Sequence, residues 1–261
     1  MKLSLYQIDA FAEKTFEGNP AAVCPLNEWL PENVLQAIAL ENNLSETAFF
    51  VQEGHGFHIR WFTPLVEVDL CGHATLASAY VLFELLGYKN DNILFQSKSG
   101  ELKVNRKGEF IELDFPRSEL KPVKTPVDLV QALRKEPVEV WKADDYIVVY
   151  NDEADIVSMS PNFTMLSQLD CRGICITAPG KYTDFVSRFF APRCGINEDP
   201  VTGSAHCELM PYWVDRLGKN KLSAVQLSKR SGRLQCELVG DRVLIAGKAV
   251  KYLEGIIEID S

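Results

Sequence analysis

Residue types that can carry a proton gather around two glycines in this chain. Gly72 lies between Cys71 and His73, and Gly203 between Thr202 and Ser204, with Asp199 shortly before. A third place is Glu46, which opens the apolar run Thr47-Ala48-Phe49-Phe50-Val51. A carboxylate against apolar neighbours loses hydration, and its pKa then rises toward the range in which it can both take and return a proton. An imidazole titrates near neutrality and can donate a hydrogen bond or a proton. Each residue also has a plainer use. Glu46 suits a surface or capping position, His73 and Asp199 could cap the helices beside them, and a hydroxyl such as that of Ser204 is expected at a helix start.

The elements that must hold these residues come in pairs. Arg60-Trp61-Phe62-Thr63-Pro64 is echoed by Arg188-Phe189-Phe190-Ala191-Pro192, an offset of 188 − 60 = 128. Gly72 and Gly87 bracket one apolar stretch and Gly203 and Gly218 another, with 203 − 72 = 131 and 218 − 87 = 131. One duplication with a three-residue insertion explains both offsets. The stretches Ala74–Leu86 and Ala205–Leu217 read as helices, and the first is apolar on most faces, as a buried helix is. A buried helix start leaves its first N–H groups in need of an acceptor, and its partly positive end suits an anion. Side chains or water could serve instead. Two equivalent starts, each opened by a glycine that lets a ligand approach the backbone, favour a ligand carboxylate in a cleft between two similar halves.

Composition sets the outer limits. The 261 residues are 46% apolar and 24% charged, an ordinary globular balance that suits two domains. A net charge of −9 argues against nucleic acid, and the scattered Lys and Arg form no membrane patch. The N-terminal residues lack a long apolar region and a small-residue cleavage site, and no apolar run approaches the roughly 20 residues of a membrane span. A cytoplasmic location is expected. Seven cysteines and four histidines are dispersed, so neither a disulfide framework nor a structural metal site is expected.

A coarse pass along the chain gives an α+β pattern. Strands are predicted at Leu3–Asp9, Phe57–Phe62, Ile93–Ser97, Leu102–Asn105 and Phe110–Phe115, with a helix over Pro31–Asn43. Pro116–Pro126 reads as a linker. Further strands are predicted at Tyr146–Tyr150, Gly173–Thr177, Phe185–Phe190, Ala224–Ser228, Arg233–Val239, Arg242–Ala246 and Gly255–Ile259, with a helix at Val127–Lys135. Strands outnumber helices without alternating with them, so mostly antiparallel sheet curled around each central helix is the natural arrangement. The halves are placed at 1–117, with the C-terminal segment available to complete it, and 118–261.

Four motifs occur in order: Gly18-Asn19-Pro20-Ala21-Ala22-Val23, Asn43-Leu44-Ser45-Glu46-Thr47-Ala48-Phe49, Asp69-Leu70-Cys71-Gly72-His73-Ala74-Thr75 and Glu198-Asp199-Pro200-Val201-Thr202-Gly203-Ser204-Ala205. Together they resemble the phenazine-biosynthesis PhzF-like isomerases of the diaminopimelate-epimerase-like fold, over nearly the whole chain. The resemblance implies two pseudo-symmetric domains, each a barrel-like sheet around a central helix, with the active site between them. It implies a cofactor-independent isomerase that moves a proton between carbons of a small acidic substrate, often as a homodimer. By the same resemblance Glu46 is the acid/base, His73 and Asp199 assist it and hold the substrate, and Gly72, Gly203 and Ser204 bind polar groups of the ligand. His55, His58 and His206 are read as structural.

Two other readings stand beside this one. Epimerases and racemases of the same fold use one thiol from each half, and Cys71 occupies the first thiol's position. Its counterpart is 71 + 131 = 202, and Thr202 is a hydroxyl far less acidic than a thiol. That leaves Cys71 as a small buried apolar residue. A binding protein that keeps the pocket without turnover is the other, since fold alone does not establish activity.

Overall fold

In the computed structural model, which describes residues 1–260, strand pairing follows the same scheme twice. The first copy opens with β1 (Lys2–Ala10), antiparallel to β2 (Asn19–Leu26). Helix α1 (Glu32–Asn42) carries the chain back, so that β3 (Glu46–Glu53) runs parallel to β2. β4 (Gly56–Phe62) returns antiparallel to β3, and the short β5 (Glu67–Val68) folds onto it. After α2 (Gly72–Tyr80), β6 (Asn92–Ser97) pairs parallel with β4, and β7 (Gly100–Lys107) and β8 (Phe110–Pro116) complete a meander.

The second copy starts after β9 (Lys121–Val123) and α3 (Val127–Leu133). β10 (Glu139–Lys142) is antiparallel to β11 (Tyr146–Val149). Two short helices, α4 (Glu153–Ser158) and α5 (Phe163–Leu166), lead to β12 (Ile174–Pro179), parallel to β11. β13 (Phe185–Ala191) and β14 (Ile196–Asp199) repeat β4 and β5, and α6 (Gly203–Leu217) repeats α2. β15 (Lys221–Gln226), parallel to β13, then pairs with β16 (Gly232–Val239), which β17 (Arg242–Gly247) follows. The last strand, β18 (Ala249–Glu258), pairs with β1.

Two compact units result, Met1–Asp114 with the segment from Ala246, and Phe115–Ile245. Most pairings are antiparallel, as expected, but β2–β3 and β4–β6, and likewise β11–β12 and β13–β15, are parallel. Parallel neighbours need a crossover, and a helix supplies it each time. Pro116–Pro126 is not a bare linker: it contains β9, which pairs with β10 inside the second unit.

Both central helices begin earlier than their apolar stretches, at Gly72 and Gly203. Every residue from His73 to Ala79 is buried. The two hydroxyls among them bond back to the helix itself, Thr75 Oγ1 to the Cys71 carbonyl at 2.6 Å and Ser78 Oγ to that of Ala74 at 2.7 Å. The predicted helix over Ala74–Leu86 ends in one widened turn, Val81–Leu85, with Leu86 N–H donating to Val81 at 2.9 Å. In the first unit α2 packs on β1, β2 and β3. On α1, Leu35, Ile38 and Ala39 pack with Cys24 and Phe49. The second unit has its own core, built from residues such as Leu129, Val148, Ile176 and Phe190.

One device is duplicated along with the strands. Arg60 grips Glu67 of β5 through Nε and Nη2 at 2.7 and 2.8 Å. Arg188 grips Glu198 of β14 through the same atoms at 2.6 and 2.9 Å. Each guanidinium also stands over a phenylalanine ring, Phe62 at 5.0 Å and Phe190 at 5.1 Å. Paired forks of this kind fix direction as well as distance. They pin the short return strand that leads into each central helix. Among the described residues no helix is long and apolar enough to cross a membrane.

Candidate active site

Glu46 is the first residue of β3, and the chain reaches it through a tight exit from α1. Asn43 adopts the left-handed conformation (φ 48°) and donates its N–H to Ala39, a conformation asparagine tolerates better than most residues. Asn42 Nδ2 donates to the buried Thr47 Oγ1 at 3.1 Å, tying that exit to the strand. The Glu46 side chain is 14% exposed. Cys71 is the extended residue that caps α2, and His73 lies in the first turn.

These local choices bring distant residues together in the first unit. His73 Nε2 lies 3.2 Å from Glu46 Oε2. Both atoms are buried, and neither is aligned in a hydrogen bond. On the other side of the ring, His73 Nδ1 is 3.3 Å from Asn19 Nδ2 and 3.6 Å from Cys71 Sγ. Burial, with Glu46 as a second cause, pushes the Cys71 thiol up to about 11. Glu46, Cys71 and His73 each offer a donor atom within 4.8 Å of the others, the one such group among the described residues. A cation there would require a thiolate, which burial disfavours, and would compete with the Asn19 amide for Nδ1. This donor set suits proton transfer better than metal binding.

Asp199, Gly203 and Ser204 lie in the second unit. Asp199 ends β14, and its Oδ2 accepts from Thr202 Oγ1 at 2.5 Å. Thr202 caps α6, with Gly203 and Ser204 its first two residues. The buried Gln226 clamps this turn: Oε1 accepts from Thr202 N–H at 2.9 Å, and Nε2 donates to the Asp199 carbonyl at 2.8 Å. Glu46, Gly72 and His73 are thus assembled in one unit, and Asp199, Gly203 and Ser204 in the other. Cys71 and Thr202 cap equivalent helices, as the offset of 131 requires.

Strand register identifies the counterpart of Glu46. Thr47 faces Phe62 and Ile174 faces Phe190, and 190 − 62 = 128, so position 46 corresponds to 173, a glycine. A Cβ at Gly173 would lie 2.2 Å from the Phe189 ring. The second unit therefore has no side chain at the position where the first carries its carboxylate, and the Phe189 ring lies against that glycine.

Sequence reading missed several polar residues. Asn19 stood in a motif without a role, and Gln226 had no signal at all. A buried charge cluster in the second unit was also missed. Asp145 is fully buried and gripped by Arg172, with Arg172 Nε 3.0 Å from Oδ1. The nearby buried Glu208 is pushed up to about 8, by burial first and Asp145 second. His206 is structural, as expected: its Nδ1 meets the Thr202 carbonyl at 2.8 Å, and burial pushes it down to about 4.

The profile of the PhzC-PhzF family, described as phenazine biosynthesis-like protein, matches residues 8–255. A Pseudomonas aeruginosa protein described as an uncharacterized isomerase is 52% identical over 99% of this chain and 100% of its own length. A crystal structure of a phenazine biosynthesis protein of the PhzF family from Enterococcus faecalis is 46% identical, with a TM-score of 0.98 over 99% of this chain and 100% of that one. A hydroxyproline epimerase from Agrobacterium vitis shares only the fold, at 8% identity and a TM-score of 0.63 over 100% of this chain and 93% of that one. With its duplicated sheets, its two glycine-started helices and a profile match over nearly its whole length, the chain belongs to the phenazine biosynthesis-like PhzC-PhzF family.

Proposed function

We propose that this protein is a cofactor-independent isomerase that moves a proton between two carbons of a small, carboxylate-bearing substrate, with Glu46 as the single acid/base. The observation that carries this reading is the pair of buried, unaligned atoms, Glu46 Oε2 and His73 Nε2, 3.2 Å apart. Buried polar atoms are nearly always hydrogen-bonded, and an exception calls for an explanation, a catalytic role among them. Glu46 would take a proton from one carbon, leaving an anion delocalised toward the substrate's unsaturated or carbonyl group, and return it to another carbon on the same face. One proton is removed and one is restored, so no oxidant or reductant enters, and exchange of the Glu46 carboxyl with solvent before the return places deuterium in the product. His73 would hydrogen-bond the carboxylate or the developing anion.

Asp199, Gly203 and Ser204 are proposed as the second unit's contribution, and Gly72 as a backbone donor at the start of α2. Their support is the motif resemblance and the repeated helix start. The two-thiol alternative finds no support at position 202, where Thr202 caps α6.

The test is incubation in deuterated water with a panel of small carboxylates, including the dihydro-hydroxyanthranilate substrate of the phenazine pathway. Deuterium uptake, or a product of the same mass at a new retention time, is expected with the wild type and not with Glu46→Gln. Turnover that survives that substitution would move the base elsewhere. A ligand that binds both proteins equally, with no exchange in either, would favour the binding-protein reading.

A further inference from the structure

His73 presents two nitrogens to different company, and that company decides where its proton sits. Nδ1 meets Asn19 Nδ2 at 3.3 Å and Cys71 Sγ at 3.6 Å. An amide NH2 can only donate. A thiol held neutral by burial carries a hydrogen it can donate, and Cys71 stays neutral well beyond physiological pH. Two donors therefore converge on Nδ1, which must accept. We infer that Asn19 and Cys71 hold His73 as the neutral tautomer with its proton on Nε2, making Asn19 a positioning residue for the Glu46–His73 pair.

Charge balance agrees with the geometry. Burial disfavours the imidazolium; a Cys71 thiolate and the Glu46 carboxylate would favour it enough to lift the ring above its ordinary range. The thiolate is absent while Cys71 remains protonated, which removes the first of the two favouring charges. An added proton on Nδ1 would also face the Asn19 amide donor. What remains is a neutral ring that sends Nε2–H toward Glu46 Oε2 at 3.2 Å. In that form the ring keeps its proton on the nitrogen that faces Glu46. The other nitrogen of a working histidine sets its tautomer in this way. Asn19 and His73 are 54 residues apart, Asn19 is fully buried, and the position opens β2 beside the strand that carries Glu46.

This inference rests on the proposed role of Glu46 for its functional meaning, but its test does not use activity. The protein is labelled with 15N-histidine, and the His73 signals are assigned by their loss in His73→Gln. At neutral pH the wild type should show an unprotonated, pyridine-type Nδ1 and a protonated, pyrrole-type Nε2. Asn19→Asp keeps the shape but replaces the donor with an acceptor, so Nδ1 should become protonated and its pyridine-type signal vanish. Cys71→Ser keeps a donor and should leave the pattern as in the wild type. A protonated Nδ1 in the wild type overturns the inference, and so does an Asn19→Asp spectrum with the wild-type pattern. The wild-type measurement stands even if a variant does not fold. Failure of the deuterium experiment with a correct tautomer would reject the isomerase reading and leave this one intact.

Discussion

The two halves share a strand scheme, a helix start and an arginine fork, yet they differ at the position proposed for proton chemistry. The first half has Glu46 where the second has Gly173, and His73 where the second has Ser204. In the first half Glu46 Oε2 and His73 Nε2 form a buried pair 3.2 Å apart. The second half keeps the same turn but ties it down, with Gln226 bonding both sides of the Asp199–Thr202 loop. At the start of the central helix, one copy leaves Glu46 Oε2 and His73 Nε2 unaligned, and the other ties the turn to Gln226. The comparison teaches that a duplicated scaffold supplies position, while chemistry depends on which side chains are left without partners.

The strongest way to break the comparison is Glu46→Gln, which should lower turnover by roughly 10²–10⁴-fold, the usual contribution of a positioned acid/base. Steady-state rates on any substrate found by deuterium exchange would measure it. An effect below tenfold would remove the functional difference between the halves.

The duplicated forks offer a second contrast. Arg188→Ala strands Glu198 and also the carbonyls of Ile156 and Met159, to which Nη1 donates at 3.0 and 2.8 Å. Arg60→Ala leaves Glu67 with Lys98 at 2.5 Å. Denaturant unfolding should show a loss of about 3–4 kcal/mol for the first and about 1–2 kcal/mol for the second. The hydrogen bond from Arg60, followed by that from Lys98, holds Glu67 down at about 2 from its usual 4.5. A depressed carboxyl contributes stability above its unfolded pKa and loses it as pH falls through the folded value. Arg60→Ala should therefore flatten the stability loss between about pH 4.5 and about 2.

Gly173→Ala sharpens the structural side. The added methyl would press on the Phe189 ring and should cost about 1–3 kcal/mol, a typical overpacking penalty. Combining it with Phe189→Leu should recover part of that loss. Equal stability of Gly173→Ala and wild type would mean that the ring moves aside freely.

A further contrast concerns Glu208, raised to about 8 from 4.5. A carboxyl whose folded pKa is raised contributes stability below its unfolded value and loses that contribution as pH climbs through the folded one. Glu208→Gln should therefore gain in melting temperature relative to wild type between pH 5 and pH 8.5. A constant difference across that window would contradict the assignment.

Much of this was legible in the sequence because duplication leaves offsets that need no structure to read. The glycines at 72 and 203 and the arginines at 60 and 188 marked both central helices and the strands before them. The β3 segment was not predicted as a strand, because Thr47–Val51 is buried without the alternation that signals one. The parallel pairings were illegible for a related reason: register between distant segments leaves no local trace. Glu46 and His73 were found through motifs, but the contact between them, and that of Asn19 with His73 across 54 residues, exists only after folding. Gln226 had no motif, and its role comes wholly from where β15 ends.

Gly173 has a historical consequence. A glycine packed beneath an aromatic ring is a position from which a lineage cannot easily return. Any replacement must first move Phe189, so no single substitution at 173 restores a carboxylate there without a loss of packing. At this position the second copy is closed to a side chain, while the first copy holds one.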